Sequence, residues 1–473
     1  MTDATERKEL EEPDKIEELP DPPPLTAMMS MINFPLRRRF SRWLRLTEGV
    51  TEDRFLGTLE GPELDQLRTD AKGIVEDEEW SFVLRFKVVV FGVSLGLAGQ
   101  AGLWKILAHS EMTRRFGIPS FINEVLWIVG LLVLVASTIC YVIKGIRWSG
   151  AVYREFIHPL RVNFFAAPFI AAMLLLLATP QRFIIGNSES QSKNMTNQTQ
   201  LAEENSLDHL YMKIVFFFVM TPLFVLELYL YGAWMYSRKR SLQSGNPAYQ
   251  MAVIGNFIGA NLAAQVGLEE IGILLFAVGT LYYLLVFISI YQAISRGHQG
   301  TPSQDSREAK TTKFQALDSS LHPILFLFVA PPSAAALAQT QLTPDKQMNF
   351  LAKSFNFISL FIFLSLVRHL LLFVKDTPFS LSYWAYTMSM ASLASSFIVY
   401  ATSTKSTVSL YIGIALAALA SLLIIIVAVL TLHKVATGGL FPIDPVIAVS
   451  VISKGKDKKK EDMPKSNDET KNL

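Results

Sequence analysis

Few side chains in this sequence are placed to do chemistry, and their types suit the movement of charge better than the breaking of bonds. Near the middle of one long apolar stretch stands a single acid, Glu227. A carboxyl group there is costly and either pairs with a neighbour or serves transport. Two readings stand side by side: a structural acid paired with a polar group of an adjacent helix or with Arg368, and a proton-coupling group. Cations gather at the ends of the apolar stretches instead, at Lys144, Arg154, Arg161 and Arg238-Lys239-Arg240. Such clusters concentrate anions at a mouth. The one cysteine, Cys140, sits inside an apolar block and excludes both a disulfide framework and a multi-thiolate metal site. No nucleotide loop, metal-ligand cluster or nucleophile constellation appears, so no enzyme and no cofactor is expected.

The elements that position these groups are set by composition. Of 473 residues, 51% are hydrophobic and 18% charged, against about 25% charged in an average soluble chain. The apolar residues come in blocks that reach the ~18–20 needed to cross a bilayer. A soluble enzyme, a disordered scaffold and a nucleic-acid-binding module are thereby excluded. The reading is an all-α membrane protein of ten transmembrane helices. Their approximate limits are 86–108, 121–144, 163–180, 211–235, 249–266, 270–294, 323–340, 350–373, 378–402 and 409–433. Three regions follow: a cytosolic amino-terminal region over 1–80, a channel-like membrane domain over 81–435 and a cytosolic tail over 436–473.

Loop charge fixes the orientation. Lys144, Arg147, Arg154, Arg161, Arg238, Lys239, Arg240, Arg296, Arg307, Lys310, Lys313, Arg368 and Lys375 fall on one side; only Arg114, Arg115, Arg182, Lys193, Lys346 and Lys405 fall on the other. The richer side is cytosolic by the positive-inside rule, and an even number of spans puts both termini there. The acceptor sequences at Asn194 and Asn197 then lie outside, where glycosylation occurs. From Asp3 to Asp21, nine acids face three bases, with prolines that interrupt any helix. This predicts a disordered acidic tail rather than a secretory signal. Arg37-Arg38-Arg39-Phe40-Ser41-Arg42-Trp43-Leu44-Arg45 reads as a basic amphipathic segment on anionic lipid, with Ser41 as a target for a basophilic kinase.

Odd and even spans differ in side-chain size. The first contains Gly92, Ser94, Gly96, Ala98 and Gly99; the fifth Gly255-Asn256-Phe257-Ile258-Gly259-Ala260; the ninth Ser389, Ala391, Ser392, Ala394, Ser395 and Ser396. The second and eighth are runs of Trp, Ile, Val, Leu and Phe. Small residues permit close helix approach or leave space for a pathway, while bulky ones suit hydrocarbon. The odd helices are expected inside, lining a central pore, and the even ones outside. His158-Pro159, Phe164 and Pro168 recur at a fixed offset as His322-Pro323, Phe328 and Pro332, so a four-helix unit repeats in parallel. The His-Pro pairs read as helix-start devices. A pathway of Phe rings and small residues with basic approaches at Arg161, Arg154 and Lys144 suits weakly held anions.

At this point the residues resemble a known family, the plant slow-type anion channels. The motifs are His158-Pro159-Leu160-Arg161-Val162-Asn163-Phe164-Phe165-Ala166-Ala167-Pro168, Leu226-Glu227-Leu228 with Tyr231-Gly232, and Gly255-Asn256-Phe257-Ile258-Gly259-Ala260. They continue through Leu321-His322-Pro323, Ala330-Pro331-Pro332-Ser333-Ala334-Ala335 and Trp384 with Tyr386-Thr387. The resemblance spans about residues 80–450 and extends to bacterial tellurite-resistance (TehA-like) proteins and fungal dicarboxylate carriers. It implies five helical hairpins around one pore per subunit, a homotrimer, and a plasma-membrane channel that releases chloride and nitrate. Malate is a further permeant ion, and protein kinases, phosphatases and membrane lipid are the partners. It also implies a Phe gate in the ninth span, which falls on Phe379, with Phe91, Phe165, Phe257 and Phe328 as further pore positions. The sequence departs where the family has Phe-Pro after Tyr386-Thr387 and this chain has Met388-Ser389. Two alternatives stay open: a proton-coupled dicarboxylate or sulfite carrier, and a non-conducting subunit that modulates a partner channel.

Overall fold

The computed structural model describes residues 81–158, 161–183, 198–236, 247–297, 322–376 and 379–441. Ser41, Asn194, Asn197, the acidic tail and the side chain of Arg368 lie outside the described residues. Among the described residues the chain is helical and has no strand. The helices are α1 (Phe91–His109), α2 (Phe121–Arg147), α3 (Ser149–Ile157), α4 (Ala167–Leu177), α5 (Gln198–Tyr236) and α6 (Gln250–Gln265). They continue as α7 (Glu269–Gly297), α8 (Ala330–Leu342), α9 (Phe350–Asp376), α10 (Trp384–Thr404) and α11 (Thr407–Ala436).

The helix ends follow from local chemistry. Gly267, at φ 75°, closes α6 while Leu268 N–H reaches back to Ala263 O at 2.8 Å, a left-handed glycine cap. Ser406 caps α11 by accepting from Ser409 N. Pro168 stands at the start of α4, and Pro331 and Pro332 at the start of α8. There the missing N–H groups cost no helix hydrogen bond.

Each small-residue helix packs on the next, so that α1, α4, α6, α8 and α10 close a circuit back to α1. Outside it, α2 packs on α1, α5 on α4, α7 on α6, α9 on α8 and α11 on α10. The inner helices run parallel. Lys105 of α1 reaches Leu177 O at the end of α4, and Ser110 after α1 meets Thr402 near the end of α10. Among the described residues seven helices are long and apolar enough to cross a membrane, or eight if the bent pair Ser149–Ile157 and Arg161–Leu177 is one span. Ten spans were expected, and the shortfall falls on inner helices. α4 and α6 have 11 and 16 residues, short of the ~20 of a straight span. α10 has 21 but carries Ser389, Ser392, Ser395 and Ser396, which lower its hydropathy.

Candidate functional site: the inner circuit and its collar

Every inner helix begins with a short 3-10 segment. These are Val88–Val90 before α1, Arg161–Ala166 before α4, Pro247–Tyr249 before α6, Phe326–Phe328 before α8 and Leu381–Tyr383 before α10. Because the inner helices are parallel, all five lead-ins gather at one end. Neighbouring lead-ins touch in turn, and the short turn His322–Leu325 bridges the last gap to Leu381–Tyr383. The result is a collar of tight turns. A 3-10 segment has poorer hydrogen-bond geometry than an α-helix and often marks a hinge. The His-Pro reading fits this local structure: His158 Nδ1 accepts from Arg161 N–H at 3.4 Å and shapes the turn into the second lead-in.

The five Phe positions sort themselves by this collar. Phe91 is the first residue of α1, Phe165 and Phe328 lie within lead-ins, and Phe379 stands two residues before one. Phe257 lies deeper, in the middle of α6. Four of the rings meet aromatic rings of surrounding helices. Phe91 meets Tyr141 at 5.8 Å, Phe165 meets Tyr141 and Phe156 at 5.9 and 5.4 Å, and Phe328 meets Phe287 at 6.0 Å. Phe257 meets Phe276 and Phe355 at 5.6 and 6.4 Å. These edge-on and tilted contacts tie inner to outer layer. Phe379 differs. It is half-buried, packs on Tyr383 at 5.2 Å, and belongs to a separate apolar cluster with Phe86, Leu381, Trp384 and Phe441.

The cations at the collar also divide. The sequence suggests that Lys144 receives anions, but its ammonium is fully buried and paired with Glu155 Oε1 at 2.8 Å. It also donates to Phe86 O, while Tyr141 OH donates to Glu155 Oε2 at 2.7 Å. An ammonium locked in a dry ion pair is not available to a solution anion, so Lys144 fastens the chain ahead of α1 to α2 and α3. Tyr141 and Lys144 are three residues apart on one helix face and so reach the same carboxylate, which stands on the next helix. Arg154 on α3 and Arg161 in the α4 lead-in are half-buried. Nη1 of Arg154 is buried and meets no protein acceptor among the described residues, which suits a transient anion.

Glu227 is fully buried on α5, facing α6. A Cβ added at Gly255 would come within 3.1 Å of its Oε1. Asn256 adjoins the carboxyl group and donates to Tyr231 OH at 2.7 Å. That amide is spent on Tyr231 and Ala252 O, and neither Glu227 oxygen meets a hydrogen-bond partner among the described residues, so the carboxyl group is enclosed beside α6 rather than paired with it. At the departure from the family pattern, Met388 and Ser389 are both fully buried, and Met388 lies in the α1–α10 seam 3.7–3.9 Å from where a Cβ on Gly99 would stand.

A closed circuit of small-residue helices, jacketed by apolar helices and fringed by arginine at one end, defines a multi-pass membrane protein built around a helical core. The chain belongs to the SLAC1 family, voltage-dependent anion channel, which matches residues 85–432. It is 36% identical over 408 residues to the S-type anion channel SLAH2 of Arabidopsis thaliana, covering 86% of this chain and 70% of that one. It is 35% identical to S-type anion channel SLAH3 over 410 residues, 86% and 58% of the two chains. With the guard cell S-type anion channel SLAC1 it shares 34% over 408 residues, 86% and 66%. The chain thus spans between 58% and 70% of the length of these Arabidopsis relatives. The family and these relatives are anion channels, not enzymes.

Proposed function

We propose that this chain is a slow-type anion channel that conducts chloride or nitrate, with malate as a weaker permeant ion, across the plasma membrane. The observation that carries the reading is the closed circuit of five parallel small-residue helices inside a bulkier jacket, in a chain of an anion channel family. In this reading ten spans form five hairpins around one pore per subunit, three subunits form a homotrimer, and both termini are cytosolic. The short inner helices α4 and α6 complete their crossings with their lead-ins. Asn194 and Asn197 face outside and accept glycans.

The constriction is proposed at the collar. Phe379 is the gate, because it is half-buried and held mainly by Tyr383 and the small cluster around Trp384. Phe91, Phe165, Phe257 and Phe328 brace the inner helices against the jacket. Arg154 and Arg161 gather anions at the cytosolic mouth. Kinases and phosphatases set the open fraction through the amino-terminal region. Phosphate on Ser41 would add roughly −2 charge within its arginine cluster and change its hold on anionic lipid.

Two-electrode recording with chloride, nitrate and malate, with and without a co-expressed kinase, tests this. The expected current reverses at the anion equilibrium potential and ignores a proton gradient. Phe379→Ala is expected to conduct without kinase, Phe379→Leu to conduct less than Ala, and Ser41→Asp to change activity. A silent Phe379→Ala at the cell surface moves the gate to another residue. The second reading, a proton-coupled dicarboxylate or sulfite carrier, draws on the burial of Glu227 beside Asn256. It wins if Glu227→Gln abolishes transport and flux follows external pH.

A further inference from the structure

We propose that Lys105, at the end of the inner circuit opposite the collar, is a binding site for a small monovalent anion. This rests on the channel reading above.

Lys105 lies one turn before the end of α1 and faces the carboxy-terminal end of α4, where its Nζ donates to Leu177 O at 2.8 Å. An ammonium carries three donors, and this bond uses one. The residue is half-buried, so part of its surface is open to the outside of the packed core. No acid pairs with it among the described residues. The carboxylate of Glu124, on α2, is taken by Arg182 at 3.3 Å.

The carboxy-terminal end of α4 favours a cation, but its carbonyls do not require one. A neutral donor serves a neighbouring carbonyl: Trp127 Nε1 donates to Leu175 O at 2.8 Å. A neutral side chain at 105 would satisfy Leu177 O as well. What a lysine adds is charge without a carboxylate to cancel it, on an inner helix at the end far from Arg154 and Arg161. Lys144 gives the contrast within the same protein: it is the lysine of the opposite end and is spent on Glu155. A partly desolvated cation with donors to spare draws an anion and holds it loosely. Anions arriving from the outer side would meet this charge first, just as those from the cytosol meet the arginines.

The full chain, activated by a co-expressed kinase in oocytes, tests the site with wild type, Lys105→Gln and Lys105→Arg at stepped external chloride. Lys105→Gln is expected to lower outward current, which is carried by anions moving inward, by roughly three- to ten-fold at low external chloride. Inward current should change less, and the difference should fade at high chloride as the mouth saturates. Lys105→Arg should keep the wild-type rectification. Unchanged rectification in a conducting Lys105→Gln overturns the site and leaves the channel reading intact. So does an equal loss of outward current in Lys105→Gln and Lys105→Arg, which would mark a packing role. A reduction of the same size in inward and outward current at every external chloride concentration assigns the charge to a lipid phosphate and overturns the proposal. A surface-expressed wild type without anion current overturns the channel reading, and this site falls with it.

Discussion

The inner and outer layers use the same apolar chemistry at different sizes, and their neighbours account for the difference. In the inner span Pro323–Leu342, 83% of the apolar window is buried inside the protein; in the outer span Phe121–Arg147 the figure is 11%. Inner residues meet protein, so volume decides what fits. Outer residues meet the surroundings of the protein, which the chain's composition identifies as hydrocarbon, so any apolar side chain serves. The contrast also explains where polar groups lie. Glu155 and Lys144 are tolerated at 0% exposure because each completes the other, whereas the mid-section of α2 shows Leu132, Val135 and Ile139 to the outside.

The largest effect should come where the outer layer breaks its own rule. Lys144→Met leaves Glu155 as a buried unpaired carboxylate, and Glu155→Gln leaves an uncompensated ammonium. Each is expected to cost about 3–5 kcal/mol, because removing one partner of a buried pair strands the other charge. Thermal unfolding of the detergent-purified protein reads the cost. The double variant Lys144→Met with Glu155→Gln should recover most of it. A double variant as unstable as the sum of the singles would mean that the two charges act separately.

Next comes a matched pair of rings. Phe257→Ala empties a fully buried site between α7 and α9 and should cost about 3–5 kcal/mol. Phe361→Ala, on α9 at 71% exposure, should change stability by about 0.5 kcal/mol or less. Equal losses at both positions would dissolve the distinction between the layers. A Phe361→Ala variant that conducts without kinase would likewise show that gating is not confined to the inner circuit.

A third comparison adds volume instead of removing it. A Cβ at Gly96 would stand 2.7 Å from Trp384 Cε3 across the α1–α10 seam. At Gly145, on outer helix α2, nothing lies within 4 Å. Gly96→Leu is therefore expected to destabilise by about 1–3 kcal/mol or more, as overpacking does. Gly145→Leu should be neutral or slightly stabilising, since glycine is a poor helix former. Melting temperatures of the two variants, measured side by side, decide.

How much of this was legible in the sequence varies with the physics. The division into layers was, because Gly96, Gly255 and Ser396 on one side and Trp127, Leu132 and Phe361 on the other are chosen by their neighbours' size. Which way a Phe faces was not. In a helix apolar all round, periodicity carries no direction, so nothing marked Phe257 for Phe276 and Phe355 rather than for a pore. The 3-10 lead-ins were partly written in Pro168, Pro331 and Pro332, but Val88–Val90 and Leu381–Tyr383 carry no proline, and only tertiary contact makes them turns. Lys144 was read by its place at a helix end. Its partner, Glu155, lies across the break at Trp148, and sequence distance hid the pairing.

The smallest effect tests whether the layers are also joined by hydrogen bonds. Ser333, on α8, and Ser359, on α9, are both fully buried and hydrogen-bond to each other. Both also lie within hydrogen-bond reach of Val329 O, at 2.9 and 2.7 Å, in the turn that opens α8 ahead of Pro331 and Pro332; each hydroxyl has one proton, so a serine that donates to this carbonyl accepts from the other. Val329 precedes the first residue of α8, so the outer helix supplies a hydroxyl to the start of the inner one. Ser359→Ala removes that cross-layer donor and should cost about 1 kcal/mol. Ser333→Ala should cost less, because Ser359 still reaches Val329 O. Shared partners make the pair non-additive, so the double variant should cost less than the two single losses together. Additive losses would mean that each serine serves only its own helix, and the layers would then be held at this point by shape alone.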